Sequence, residues 1–86
     1  MAVYLLWTSD PLDDLHGPWR ESRWIAPGVA LIDSPETLSR VYHEVKWQLA
    51  DDAALMVSPV EHTPKSRGMA PGTTAWLRHR TPPSPT

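Results

Sequence analysis

The chain contains no cysteine among its 86 residues. That excludes disulfides, thiolate-ligated zinc, iron–sulfur clusters and a thiol nucleophile within this protein. Long hydrophobic runs are missing as well. The longest uninterrupted apolar stretch, Ala2 to Trp7 with Met1 before it, has seven residues, far below the roughly 20 that a bilayer-spanning helix needs. It follows no cationic leader and runs straight into Asp10, so it reads as a strand and not as a signal peptide. The expectation is a cytoplasmic protein with no membrane partner. The spacings that mark a phosphate-binding Gly-x4-Gly-Lys loop, a Gly-x-Ser-x-Gly nucleophile elbow, or a His-x3-His or His-Glu-x2-His metal site do not occur. No catalytic residue, metal or cofactor is therefore assigned.

Phenylalanine is also absent, whereas tryptophan occurs five times. Tryptophan joins a large apolar face to an N–H donor, which suits surfaces that are both buried and polar, such as interfaces. Two or three of the five are expected in the core. A chain of this length holds one domain, and folding buries only about 60% of its unfolded surface, so self-association is a natural supplement to its stability. The formal net charge of −2 is unevenly spread. All ten acids lie between Asp10 and Glu61 beside four bases, a balance of −6, and from His62 onward stand Lys65, Arg67, Arg78 and Arg80 with no acid, a balance of +4. Such asymmetry points to an anionic partner, to self-association of opposite patches, or to neutralisation within the fold.

Ala2 to Thr8 is apolar on both alternating faces and reads as an interior strand. Asp10 to Gly17 has Pro and acids near its start and Gly at its end, which predicts a short helix over about 11–16. Pro18 to Arg23 reads as an irregular connection. Pro27-Gly28 marks a turn or bulge before the apolar run Val29 to Ile32, a second strand. Ser34, Pro35 and Glu36 then supply a cap, a first-turn proline and a first-turn acid. Leu38, Val41, Tyr42, Val45 and Leu49 fall on one helical stripe. Together they predict a long helix over about 35–49. Ala53 to Ser58 is a third strand closed by Pro59. Residues 61–72 form a loop, and Thr73 to His79 resembles a last strand with Trp76 and Leu77 on opposite faces.

The expected fold class is α/β of the α+β kind: a sheet of about four strands, one long helix on one face, a short helix after the first strand, and a βαβ unit. Residues 1–80 form the single domain and 81–86 a proline-rich, mobile tail. One helix covers only one face of such a sheet. The other face is hidden by loops and the short helix, or by a second subunit packing sheet to sheet. In that respect the architecture resembles small ferredoxin-like α+β domains, a resemblance that assigns no function.

Two surfaces stand out. On the helix, Trp47 points away from the apolar stripe with His43 and Arg40 one and two turns before it, and Trp and Arg are frequent interface anchors. The plainer alternative stacks Trp47 on His43 and pairs Arg40 with Glu36 and Glu44 as ordinary helix ion pairs. Trp19 and Trp24 are the next interface candidates. The second surface is the glycine-bearing loop with Lys65 and Arg67, joined by Arg78 and Arg80, where an anion could be held. The four histidines share no ligand spacing.

The leading reading is a small non-enzymatic binding or accessory protein that works through a Trp-bearing protein interface and forms a homodimer. The alternative is a small dimeric enzyme or ligand-binding protein using His43 or His62 with Arg67. Third comes anion or nucleic-acid binding through Lys65, Arg67, Arg78 and Arg80, with nucleic acid disfavoured because four cations are a sparse footprint beside an acidic remainder.

Overall fold

The computed structural model describes residues 2–85, so Met1 and Thr86, at the ends of the expected domain and tail, lie outside the described residues. Its elements run β1 (Ala2–Thr8), β2 (Glu21–Ala26), β3 (Val29–Ser34), α1 (Leu38–Lys46), β4 (Leu55–Pro59) and α2 (Thr73–Arg78). The four strands form one sheet in the order β2-β3-β1-β4, with every neighbouring pair antiparallel. The class is α+β. β3 and β4 both oppose β1 and so run parallel to each other, but β1 lies between them; the βαβ crossover over α1 is a split one.

The period-2 alternation of β1 accounts for both faces of the sheet. Tyr4 and Leu6 point to one side, where they pack with Ala30, Ile32, Leu15 and the α1 residues Val41 and Val45. Val3 points to the other, with Leu31, Ile25 and the α2 residues Trp76 and Leu77. Apolar residues on both faces of the strand are thus matched by a helix on each face, and the second layer comes from the same chain. The sheet face that invited a second subunit is occupied by α2.

Several of the expected elements differ from the observed ones. The long helix over 35–49 is a nine-residue helix, Leu38–Lys46. Its N-cap is Thr37, whose hydroxyl accepts the Arg40 N–H, because Ser34 is still in β3 and is used otherwise: its hydroxyl donates to the Pro18 carbonyl and accepts from the Glu36 N–H. Beyond Lys46 the backbone tightens into i−3 bonds, Gln48 to Val45 and Leu49 to Lys46, and the helix ends. The short helix over 11–16 is absent, and its stretch is irregular. So short a segment gains too few bonds to offset helix nucleation; instead Leu12 and Leu15 drop onto the α1-side core, and the Gln48 amide bonds both the N–H and the carbonyl of His16.

The expected last strand, Thr73 to His79, is the helix α2. Thr73, Trp76 and Leu77 are its buried residues, the i, i+3, i+4 set of one helical face. The fourth strand comes instead from Glu21–Ala26, which pairs with β3 across the Pro27-Gly28 turn. The ferredoxin-like detail also fails, since both helices are short and they lie on opposite faces of the sheet. Among the described residues no helix is long and apolar enough to cross a membrane.

Gly28 shows why the β2–β3 turn tolerates little change. Its φ is +73°, and a Cβ built on it would come 2.6 Å from the Thr8 carbonyl oxygen. The same junction is tied by Thr8 N–H donating to the Gly28 carbonyl at 2.9 Å. Gly28→Ala is expected to cost about 2 kcal/mol, from the left-handed conformation and the displaced carbonyl together. The urea midpoint should fall with an unchanged m-value; a loss below about 0.5 kcal/mol would show that the turn relaxes freely.

Candidate functional site

Of the five tryptophans, Trp76 is buried, Trp19 and Trp24 are half-buried against the α1-side core, and two reach solvent: Trp7 is 43% exposed and Trp47 69%. Trp47 caps the C-terminus of α1. It sits beside the His43 ring, centroids 6.0 Å apart, and His43 meets Tyr42 edge-on at 5.2 Å. The His43 Nδ1 lies 2.7 Å from the Ser39 carbonyl oxygen and so acts as the donor there. Arg40 bonds Glu44 at 3.0 Å and approaches Glu36 at 4.0 Å. Arg40, His43 and Trp47 therefore share one exposed face, and their polar ends are largely used within the helix. Trp19 and Trp24 do not join that face.

The sheet edges differ. At β2, the Ala70 N–H donates to the Ile25 carbonyl and Arg23 donates to the Pro71 carbonyl, so the loop before α2 closes that side. β4 has β1 on one side and, among the described residues, no strand on the other. Val60 N–H bonds Val3 O at 2.8 Å and Ser9 N–H bonds Ala54 O at 3.1 Å. By the alternation of an antiparallel ladder, Met56 and Ser58 turn their backbone groups to β1, and Leu55 and Val57 turn theirs outward. The strand Leu-Met-Val-Ser-Pro carries no charge, and charge is the common protection of an open edge.

Apolar side chains flank this edge on both faces. On the α2 side Met56 is 66% exposed beside Trp7, its register partner in β1. On the α1 side Leu55 and Trp47 line one hollow of about 410 Å³ together with Tyr42 and Leu49. The face around Trp47 is thus continuous with the edge. The exposure of Trp47 was legible from its helical phase. That of Trp7 and Met56 was not, because it depends on how much of the second face α2 covers.

The basic residues separate into two groups. Arg80 packs its guanidinium 4.2 Å from the Trp76 ring centre and bonds Asp33 at 3.1 Å and Glu21 at 2.7 Å. Lys65, Arg67 and Arg78 make no ion pair among the described residues. Lys65 and Arg78 line one hollow of about 680 Å³, and Arg67 a neighbouring one of about 230 Å³. The histidines stay apart: His16 contacts Asp14 at 3.1 Å, His43 is on α1, and His62 and His79 are exposed. Among the described residues no group of three or more acidic, His or Cys side chains is placed to hold a metal ion.

The chain matches no protein-family model, no curated protein and no solved structure.

Proposed function

We propose that this domain is a small non-enzymatic binding protein that associates through the β4 edge, and that the partner at that edge is a second copy of itself. The observation that carries the proposal is the edge: uncharged, open at Leu55 and Val57, and flanked by the exposed Trp47 on one face and Met56 on the other. An uncharged open edge with exposed apolar side chains beside it is a template for pairing with another chain. Against the alternative of a small enzyme stands the scatter of its polar groups: His43 and Arg67 lie on opposite faces of the sheet, and His62 does not line the hollow that holds Arg67.

Self-pairing fits the strand in one register. A two-fold axis through Met56 sets Leu55 of one copy opposite Val57 of the other, and all their outward N–H and C=O groups then find partners. A register centred on Val57 would leave the Leu55 carbonyl facing Pro59, which has no N–H to donate. At the axis Met56 faces its own copy in a non-hydrogen-bonded pair, with Cα atoms about 4.5 Å apart, inside the span of about 4.4–6.8 Å that a disulfide bridges.

Because the chain has no cysteine, Met56→Cys gives a direct test. Under mild oxidation it should form a covalent dimer rapidly, whereas Ser58→Cys, two residues off the axis, should not. Light scattering should find a concentration-dependent dimer in the unmodified protein, weakened by Trp47→Ala. If Met56→Cys cross-links no faster than Ser58→Cys and the chain stays monomeric at all concentrations, the proposal is wrong.

A further inference from the structure

The excess of positive charge after His62 is only partly neutralised by folding. Arg80 is held by Glu21 and Asp33, but Lys65 and Arg78 line the hollow between the 61–72 loop, α2 and the chain beyond it, and among the described residues no acidic side chain lines that space. Its wall is fixed by hydrogen bonds. The Thr81 hydroxyl donates to the Leu77 carbonyl and lies 2.7 Å from the Thr63 hydroxyl, and the Thr63 N–H donates to the Pro82 carbonyl. Ser66 and Thr74, also at the hollow, make no side-chain hydrogen bond among the described residues, so their hydroxyls remain free to donate.

We propose that this hollow is a binding site for a small organic phosphate. A phosphate group seated between Lys65 and Arg78 meets a point charge on one side and a planar guanidinium fork on the other, with the Ser66 and Thr74 hydroxyls as further donors. Pro64 and Pro83 give the organic remainder an apolar wall. The volume of about 680 Å³ falls within the range of small-molecule clefts. A polyanion fits less well: the cations are few, and the rest of the chain carries the −6 balance that repels an extended phosphate backbone. The site is independent of the β4 edge, so either proposal can fail without the other.

The test is a titration of the full chain with glucose 6-phosphate and, separately, inorganic phosphate, followed by backbone amide NMR. Glucose 6-phosphate should saturate at one equivalent, bind more tightly than inorganic phosphate, and shift signals confined to the surroundings of Ser66, Thr74, Arg78 and Thr81. Lys65→Gln and Arg78→Gln should each weaken binding about tenfold, the scale of one lost charge-assisted contact. Both side chains are exposed, and unchanged amide signals elsewhere would show that the variants fold. A linear, non-saturating response, or equal affinity in the double variant, overturns the proposal. So does a single-stranded oligodeoxynucleotide that binds more tightly than glucose 6-phosphate with a steep salt dependence.

Discussion

Trp76→Ala is expected to lower stability by about 4 kcal/mol, which for a domain of this size is a fall in Tm of more than about 15 °C. Trp76 is 6% exposed and is the largest side chain that α2 contributes to the second sheet face. Its loss opens a void against Val3, Leu31 and Ile25 and also removes the ring on which the Arg80 guanidinium rests at 4.2 Å. One feature of the site works in the opposite direction. The indole Nε1 is buried without a hydrogen-bond partner among the described residues, and such a group costs about 1–3 kcal/mol relative to water. Trp76→Phe removes that unpaired donor while keeping most of the ring, so it should cost less than about 2 kcal/mol. Urea unfolding of the two variants separates the contributions. If phenylalanine proves as damaging as alanine, ring volume is not what holds α2 to the sheet.

Those elements whose signal is carried by their own residues were legible in the sequence. β1 reads as an interior strand because Val3 and Leu5 on one face and Tyr4 and Leu6 on the other all have apolar partners. The helix stripe through Val41 and Val45 is real, and both side chains are fully buried. The Pro27-Gly28 signal marks a turn, with a sheet strand on each side of it. What failed depended on tertiary partners. Glu21, Ser22 and Arg23 look like a loop by composition, yet they pair with β3 as an edge strand, with Arg80 donating to the Glu21 carboxylate and Arg23 donating to the Pro71 carbonyl. Thr73 to His79 satisfies both a period of two and an i, i+3, i+4 pattern over so few residues, and the sheet face it covers decides for helix. Ser34 carries a good capping side chain, but β1 claims its backbone as the register partner of Ala2, so the helix starts at the next available cap, Thr37. The candidate surfaces divide in the same way. The helical phase revealed Trp47, whereas the open edge at β4 and the separation of Arg80 from Lys65 and Arg78 arise from contacts between residues far apart in the chain.

Arg80→Ala should cost about 3 kcal/mol, the lower end of the range for removing one partner of a buried ion pair. The lower end applies because the Arg80 side chain keeps 24% of its exposure, whereas that of Asp33 keeps 7%. The damage is done mainly at Asp33. This carboxylate lies opposite Val3 in the β1–β3 register on the face covered by α2, and without Arg80 it stays in that apolar setting with no cation beside it. The double replacement Arg80→Met with Asp33→Val should therefore be much less harmful than Arg80→Ala, because an apolar pair leaves no charge uncompensated. A double variant as unstable as the single one would mean that Arg80 acts through its stacking on Trp76 and its contact with Glu21, and not through Asp33. The comparison also divides the basic segment by role. Arg80→Ala should lower the unfolding midpoint while leaving glucose 6-phosphate affinity in the still-folded protein unchanged, and Arg78→Gln should weaken that affinity at nearly unchanged stability, since its side chain makes no hydrogen bond or ion pair among the described residues. Two arginines two positions apart in the chain would then be doing separate work, one closing the fold and the other facing a ligand.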